Sequence, residues 1–200
     1  MSTRSLDIVP LLAGRGGANA SGEAVSPLAH ALQCAALARR DGAGDEVVLA
    51  ALLHDVGHLI GGAEDTPRSH HGMWGARLLR SFVPPRVAWL VEHHVVAKRY
   101  LCTVDAAYVE TLSAVSRRSW LAQGGRLDRA ALEELEGAPN LLDVLRIRRW
   151  DDLAKDPHAM APPLEAYREL LESCFGPQSW ERPLAVRSPV RGAFPATWSS

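Results

Sequence analysis

The chain has 200 residues, 47% of them apolar and 22% charged, with a formal net charge of -1. That length buries a substantial core as one domain, and the composition is that of an ordinary soluble globular protein. A near-neutral charge excludes general attraction to nucleic acid or to an acidic membrane, although Arg146 to Arg149 form a locally basic cluster.

Cys34, Cys102 and Cys174 are odd in number and widely spaced, which fits reduced packing residues in a cytoplasm rather than a disulfide framework. Met1 to Gly17 lack a basic stretch followed by a sustained apolar one, and no later segment reaches membrane-span length. A cytoplasmic protein without membrane or nucleic-acid partners is expected.

Apolar residues recur at the helical repeat and the breaks carry Pro, Gly, Asn or Asp, so the fold class is all-α. Ser26-Pro27 supplies an N-cap and a first-turn proline for a helix through about Arg40; Asp41-Gly42-Ala43-Gly44 then turns into a helix from Asp45 to about Leu59. Gly61-Gly62 stops that helix. A shorter one follows from about His70 to Phe82, and Pro84-Pro85 opens another to about Arg99. Later helices are expected at Ala106–Ser116, Asp128–Glu136, Asn140–Lys155 and Pro163–Phe175. Residues 1–21 and 176–200 read as irregular flanks of a helical domain over 22–175.

Seven of the eight histidines fall between His30 and His94. His54-Asp55 ends the apolar run Val47 to Leu53. Taken alone, the pair fits a metal site or a hydrogen-bonded core dyad equally well, and the surrounding histidines decide for the metal. His58 lies one turn on, beside both residues, and Gly57 removes a side chain either for a ligand or for a tight helix crossing. His71 continues onto Gly75, Leu78, Leu79 and Phe82, and His94 onto Val87, Leu90, Val91 and Leu101, so both point inward; His70 and His93 lie nearer the surface. Lys98 shares the inward face of His94, where an ammonium needs an anion unless it snorkels.

Asp151 follows Val144, Ile147 and Arg148 on an inward stripe, while Asp152 beside it could cap the helix. Arg148 is either an oxyanion clamp or the partner of an acid. His30, His54, Asp55, His71, His94 and Asp151 offer more donors than a four-coordinate structural zinc needs and include no thiolate, which points to two ions bridged by Asp55. Nitrogen and oxygen ligation suits iron, manganese or zinc.

The ordered donors resemble the HD-domain superfamily. The stretches Ala29 to Gln33, Ala51 to His58, His94 to Leu101, Gln123-Gly124-Gly125 and Arg148 to Asp152 resemble its mixed-valence di-iron oxygenases of phosphonate breakdown over roughly residues 22 to 172. The resemblance implies an HD-domain helical bundle and two iron ions in the Fe(II)/Fe(III) state. One ion would be held by His30, His54, Asp55 and Asp151, the other by Asp55, His71 and His94. It implies a small 1-hydroxyphosphonate, carrying an amino or trimethylammonium group, whose hydroxyl and phosphonate oxygens chelate one iron. Dioxygen, the co-substrate, binds the other and abstracts hydrogen from the carbon bearing phosphorus; a carboxylate and phosphate result. His58 and Lys98 take catalytic roles by the same resemblance, Lys98, Ser116 and Arg148 hold the phosphonate, His58 lines the pocket, and Glu23 meets the amine end.

The chain departs from the family where a gating tyrosine usually precedes the Gly-Glu pair, since Ala20-Ser21 stands there. Pro27, Ala29 and Gly72 also replace common polar residues around the site. A metal-dependent HD phosphohydrolase acting on a phosphate ester is the contrasting enzyme, and a non-catalytic phosphonate sensor the contrasting binding module.

Overall fold

The computed structural model describes residues 6–15, 24–60 and 70–180. Among the described residues every regular element is helical: α1 (Ile8–Arg15), α2 (Pro27–Arg40), α3 (Asp45–Leu53), α4 (Gly57–Ile60), α5 (His71–Leu79), α6 (Pro85–Val104), α7 (Ala106–Thr111), α8 (Ala114–Ala122), α9 (Arg129–Glu136), α10 (Leu141–Leu153) and α11 (Arg168–Phe175). Short 3₁₀ turns sit at Leu164–Tyr167 and Pro177–Ser179.

Helix α3 organises the bundle. Val47 through Leu53 are all buried, and a helix apolar around its whole circumference is stable only when surrounded. Helices α2, α6, α10 and α11 supply that surrounding, and α5 packs along α6. The expected cap Ser26 accepts from the Ala29 amide at 3.2 Å, and Asp128, at the expected start of its helix, accepts from the Ala131 amide at 2.9 Å. Each satisfies a donor that the first turn of its helix leaves open.

Several boundaries differ from expectation. The helix expected from Asp45 to Leu59 is broken: α3 ends at Leu53, and His54, Asp55 and Val56 form a turn before α4. Amide bonds from Val56 to Leu53 O, His58 to Asp55 O and Leu59 to Val56 O, at 2.9 to 3.0 Å, tighten this turn in 3₁₀ fashion. Helix α6 runs on to Val104 instead of stopping near Arg99. The helix expected over Ala106–Ser116 divides, because Leu112 is extended and Ser113 caps α8 by accepting from the Ser116 amide at 3.1 Å. Helix α10 stops at Leu153, short of Lys155.

The segment expected to be irregular at the start contains α1, whose Ile8 and Leu12 are buried against the rest of the bundle. The expected stop at Gly61-Gly62 lies outside the described residues. Cys34, Cys102 and Cys174 are free thiols. No helix among the described residues is long and apolar enough to cross a membrane.

Candidate metal centre

The turn after α3 carries His54 and Asp55 into the space between α2, α5, α6 and α10, each of which contributes a donor. His30 comes from α2, His71 from the first position of α5, His94 from α6 and Asp151 from the last turn of α10. All four histidines and Asp151 are buried, and the Asp55 side chain is 29% exposed.

The carboxylate of Asp55 divides the cluster. Its Oδ2 lies 3.7 Å from His30 Nε2 and 3.6 Å from His54 Nε2, whereas Oδ1 lies 3.3 Å from His71 Nε2 and 3.5 Å from His94 Nε2. Asp151 Oδ1 is 3.3 Å from His30 Nε2 and joins the first group. The histidines pair accordingly, His30 Nε2 with His54 Nε2 at 3.1 Å and His71 Nε2 with His94 Nε2 at 2.9 Å.

Three rings have their tautomer set by the main chain. The Nδ1 of His30 donates to Ala154 O at 2.7 Å, that of His54 to Ala51 O at 2.8 Å and that of His94 to Val91 O at 2.7 Å. A neutral imidazole that donates through Nδ1 presents a lone pair at Nε2. The His30 and His54 Nε2 atoms face each other at 3.1 Å, a spacing at which either a proton on His30 or a metal cation must lie between them. Two nitrogens about 2.1 Å from one ion and a right angle apart are separated by about 3 Å, so these spacings are those of neighbouring ligands. The residues present fit two ions, one among His30, His54 and Asp55 with Asp151 beside it, the other among Asp55, His71 and His94.

At His54, His94 and the two carboxylates, protonation favours the same chemistry. Burial pushes the His54 imidazole down, and pushes that of His94 down to about 4. For His30 burial also acts downward, but Asp151 and Asp55 outweigh it and raise its pKa. Burial acts upward on Asp55 and Asp151, yet the surrounding imidazoles hold Asp55, and Arg148 with His30 holds Asp151, well below the usual carboxylate range. Ionised carboxylates and neutral imidazoles are the forms that bind metal.

His58, 36% exposed at its side chain, stacks on His71 with ring centroids 3.9 Å apart and reaches to 3.9 Å from Asp55 Oδ1. His70 is exposed, and His93 donates to Trp89 O at 2.8 Å while stacking on Trp89. Gly57 belongs to a helix crossing, its Cα facing the main chain of His71 and Gly75. Glu23 lies outside the described residues.

One wall is cationic. Lys98 is 4% exposed, and its Nζ donates to Ser119 Oγ at 2.7 Å. Burial, with Arg148 adding to it, pushes the Lys98 ammonium down to about 8. Arg148 pairs with both neighbouring acids: Nη1 donates to Asp151 and Nη2 to Asp152. Each terminal nitrogen keeps one further N–H. Tyr108 donates to Asp152 and accepts from Arg148 Nε at 3.2 Å. Ser116 is buried, and its Oγ accepts from Lys155 Nζ at 2.8 Å. Tyr108, Ser119 and Lys155 carried no signal in the sequence, and Asp152 only that of a cap.

The chain is similar to known proteins over most of its length. Residues 27–156 match the HD domain. A hydroxymethylphosphonate dioxygenase of Gimesia maris is 40% identical over 76% of this chain and 79% of its own length. The glycine-betaine-forming 1-hydroxy-2-(trimethylamino)ethylphosphonate dioxygenase of Leisingera caerulea is 36% identical over 70% of this chain and 74% of its own. An uncharacterized protein of Acanthamoeba polyphaga mimivirus is 32% identical over 82% of this chain and 78% of its own.

Proposed function

The chain belongs to the HD domain family and is an oxygenase, and on that premise we propose that it holds two iron ions and cleaves the carbon–phosphorus bond of a small 1-hydroxyphosphonate with dioxygen, giving a carboxylate and phosphate. The observation that carries this reading is the Asp55 carboxylate, which reaches one histidine pair through Oδ2 and another through Oδ1 beside a wall of buried cations. Iron bound there in the Fe(II)/Fe(III) state would supply the chemistry with dioxygen.

The protein's own part is to bind and orient. His30, His54, Asp55 and Asp151 would hold one ion and Asp55, His71 and His94 the other. Lys98, Ser116 and the remaining N–H groups of Arg148 meet the phosphonate, for which charge-assisted donors are the strong ones. His58, at the rim, is placed to take or return a proton at Nε2. Burial of the donors keeps bulk water from the reacting carbon.

Both dioxygenase relatives act, by name, on hydroxyphosphonates, one with a bare hydroxymethyl group and one with a trimethylammonium group. An amino- or trimethylammonium-bearing substrate is the version that would use Glu23. Anaerobically iron-loaded protein is offered hydroxymethylphosphonate and its aminomethyl and trimethylaminomethyl derivatives, and phosphate is measured with and without dioxygen. Oxygen-dependent release from at least one is expected. Undiminished release without dioxygen overturns the oxygenase mechanism, and full activity with zinc or manganese on a phosphate ester makes the protein a phosphohydrolase.

A further inference from the structure

Ser116 and Ser119 stand one turn apart on α8, and each receives a lysine from a different element. Ser119 Oγ accepts from Lys98 and donates to Ser116 O at 3.0 Å, so its single proton is committed. Ser116 Oγ accepts from Lys155, and an ammonium can only donate. The Ser116 hydroxyl proton therefore has no protein acceptor among the described residues, although the residue is 6% exposed. A buried O–H turned away from an ammonium calls for an anionic acceptor at the same point.

Lys155 is held there by the end of α10. The helix terminates at Leu153, the carbonyl of Ala154 fixes His30, and Gln33 Nε2 donates to Asp156 O at 2.7 Å. Lys155 sits between these two anchored peptides and four residues beyond Asp151. The ammonium groups of Lys98 and Lys155 and the Arg148 guanidinium are close enough that the other two cations lower the Lys98 pKa. Asp151 and Asp152 pair with Arg148, and Lys98 and Lys155 each donate to a serine of the same wall.

We propose that Lys155 is a phosphonate-binding residue that also turns the Ser116 hydroxyl toward the same ligand. This rests on the phosphonate reading of the site. It divides the two serines by role, Ser119 tethering Lys98 and Ser116 donating to the ligand.

The test is calorimetric binding of methylphosphonate, which has the phosphonate head but no hydroxyl to react, to anaerobic iron-loaded protein. Unsubstituted protein is compared with Lys155→Met, Lys155→Arg, Ser116→Ala and the Lys155→Met/Ser116→Ala pair. Loss of one charge-assisted contact raises the Kd of Lys155→Met about tenfold or more, and Lys155→Arg keeps most of the affinity. The double variant binds about as weakly as the weaker single, because the two groups act as a unit.

Unchanged affinity in Lys155→Met, or a double variant whose losses simply multiply, overturns the assignment. So does failure of the unsubstituted protein to take methylphosphonate. A lysine that only ties α8 to the end of α10 would lower the melting temperature of Lys155→Met without changing its Kd. Oxygen-dependent phosphate release by the unsubstituted protein is scored separately: release beside an unchanged Lys155→Met Kd removes Lys155 alone. Oxygen-independent release beside the expected Kd series removes the oxygenase mechanism and keeps Lys155.

Discussion

The Nε2 atoms of His30 and His54 lie 3.1 Å apart, although each ring already donates through Nδ1 to a main-chain carbonyl. At that distance the pair needs a cation between its lone pairs, either the proton that the raised His30 pKa favours or a metal ion that replaces it. Metal should therefore stabilise the fold strongly. An ion at about a thousand times its dissociation constant adds about 4 kcal/mol, which for a chain of this size is roughly 10 °C in melting temperature. Chelator-treated protein titrated with Fe(II) under anaerobic conditions should rise by that order. An unchanged melting temperature would remove the metal centre.

Asp55 touches both groups of donors, whereas Asp151 touches only the first and His71 lies with the second. Metal content should separate them. Asp55→Ala is expected to lose the dinuclear cluster, while Asp151→Ala weakens the first ion and His71→Ala the second. Iron per chain, with electron paramagnetic resonance to read coupling between ions, checks this. Two coupled irons in Asp55→Ala would contradict the bridging carboxylate.

The residues that gather around Asp55 were readable where local chemistry determined them. The all-apolar run Val47 to Leu53 marked the central helix, Ser26-Pro27 and Asp128 marked helix starts, and face periodicity separated His71 from His70 and His94 from His93. The turn at His54–Val56 was not readable, because the residues there are compatible with helix. The turn brings Gly57 against the main chain of α5, a contact between segments distant in sequence that local spacing does not report. Ser113 did carry a capping signal, but the apolar spacing of Ala106–Ser116 concealed it and, with it, the placement of Ser116 and Ser119 opposite the lysines. Lys155 depended on where α10 stops: continued helix would have pointed it elsewhere.

Lys98 gives a pH dependence with a defined sign. Its ammonium is pushed from 10.5 down to about 8, chiefly by burial, so its charge is lost as pH rises through about 8. Phosphonate capture should weaken there, giving kcat/KM a basic limb with an apparent pKa of about 8. Lys98→Arg, whose guanidinium stays charged, should carry the limb to higher pH. Between about 8 and 10.5 the unfolded chain holds the proton that the folded chain has lost, so this residue makes stability rise with pH. A basic limb unmoved by Lys98→Arg would assign it to another group.

Gly57 tests how the helix crossing supports the metal centre. A Cβ there would lie 1.9 Å from His71 O, 2.7 Å from His71 C and 2.9 Å from Gly75 N. These are main-chain atoms, which cannot swing aside as a flexible side chain can. Gly57→Ala must push α4 away from α5, and the first residue of α5 is His71, 3.3 Å from Asp55 Oδ1. Overpacking of this kind costs about 3 kcal/mol, and the displacement should also weaken the second ion. Gly137→Ala is the matched control: its Cβ would meet only ordinary contacts at 3.5 Å and beyond, and stability should change by less than about 1 kcal/mol. Denaturant unfolding with and without iron reads both effects. Gly57→Ala with the stability and iron content of the unsubstituted protein would show that α4 has room to move without disturbing His71.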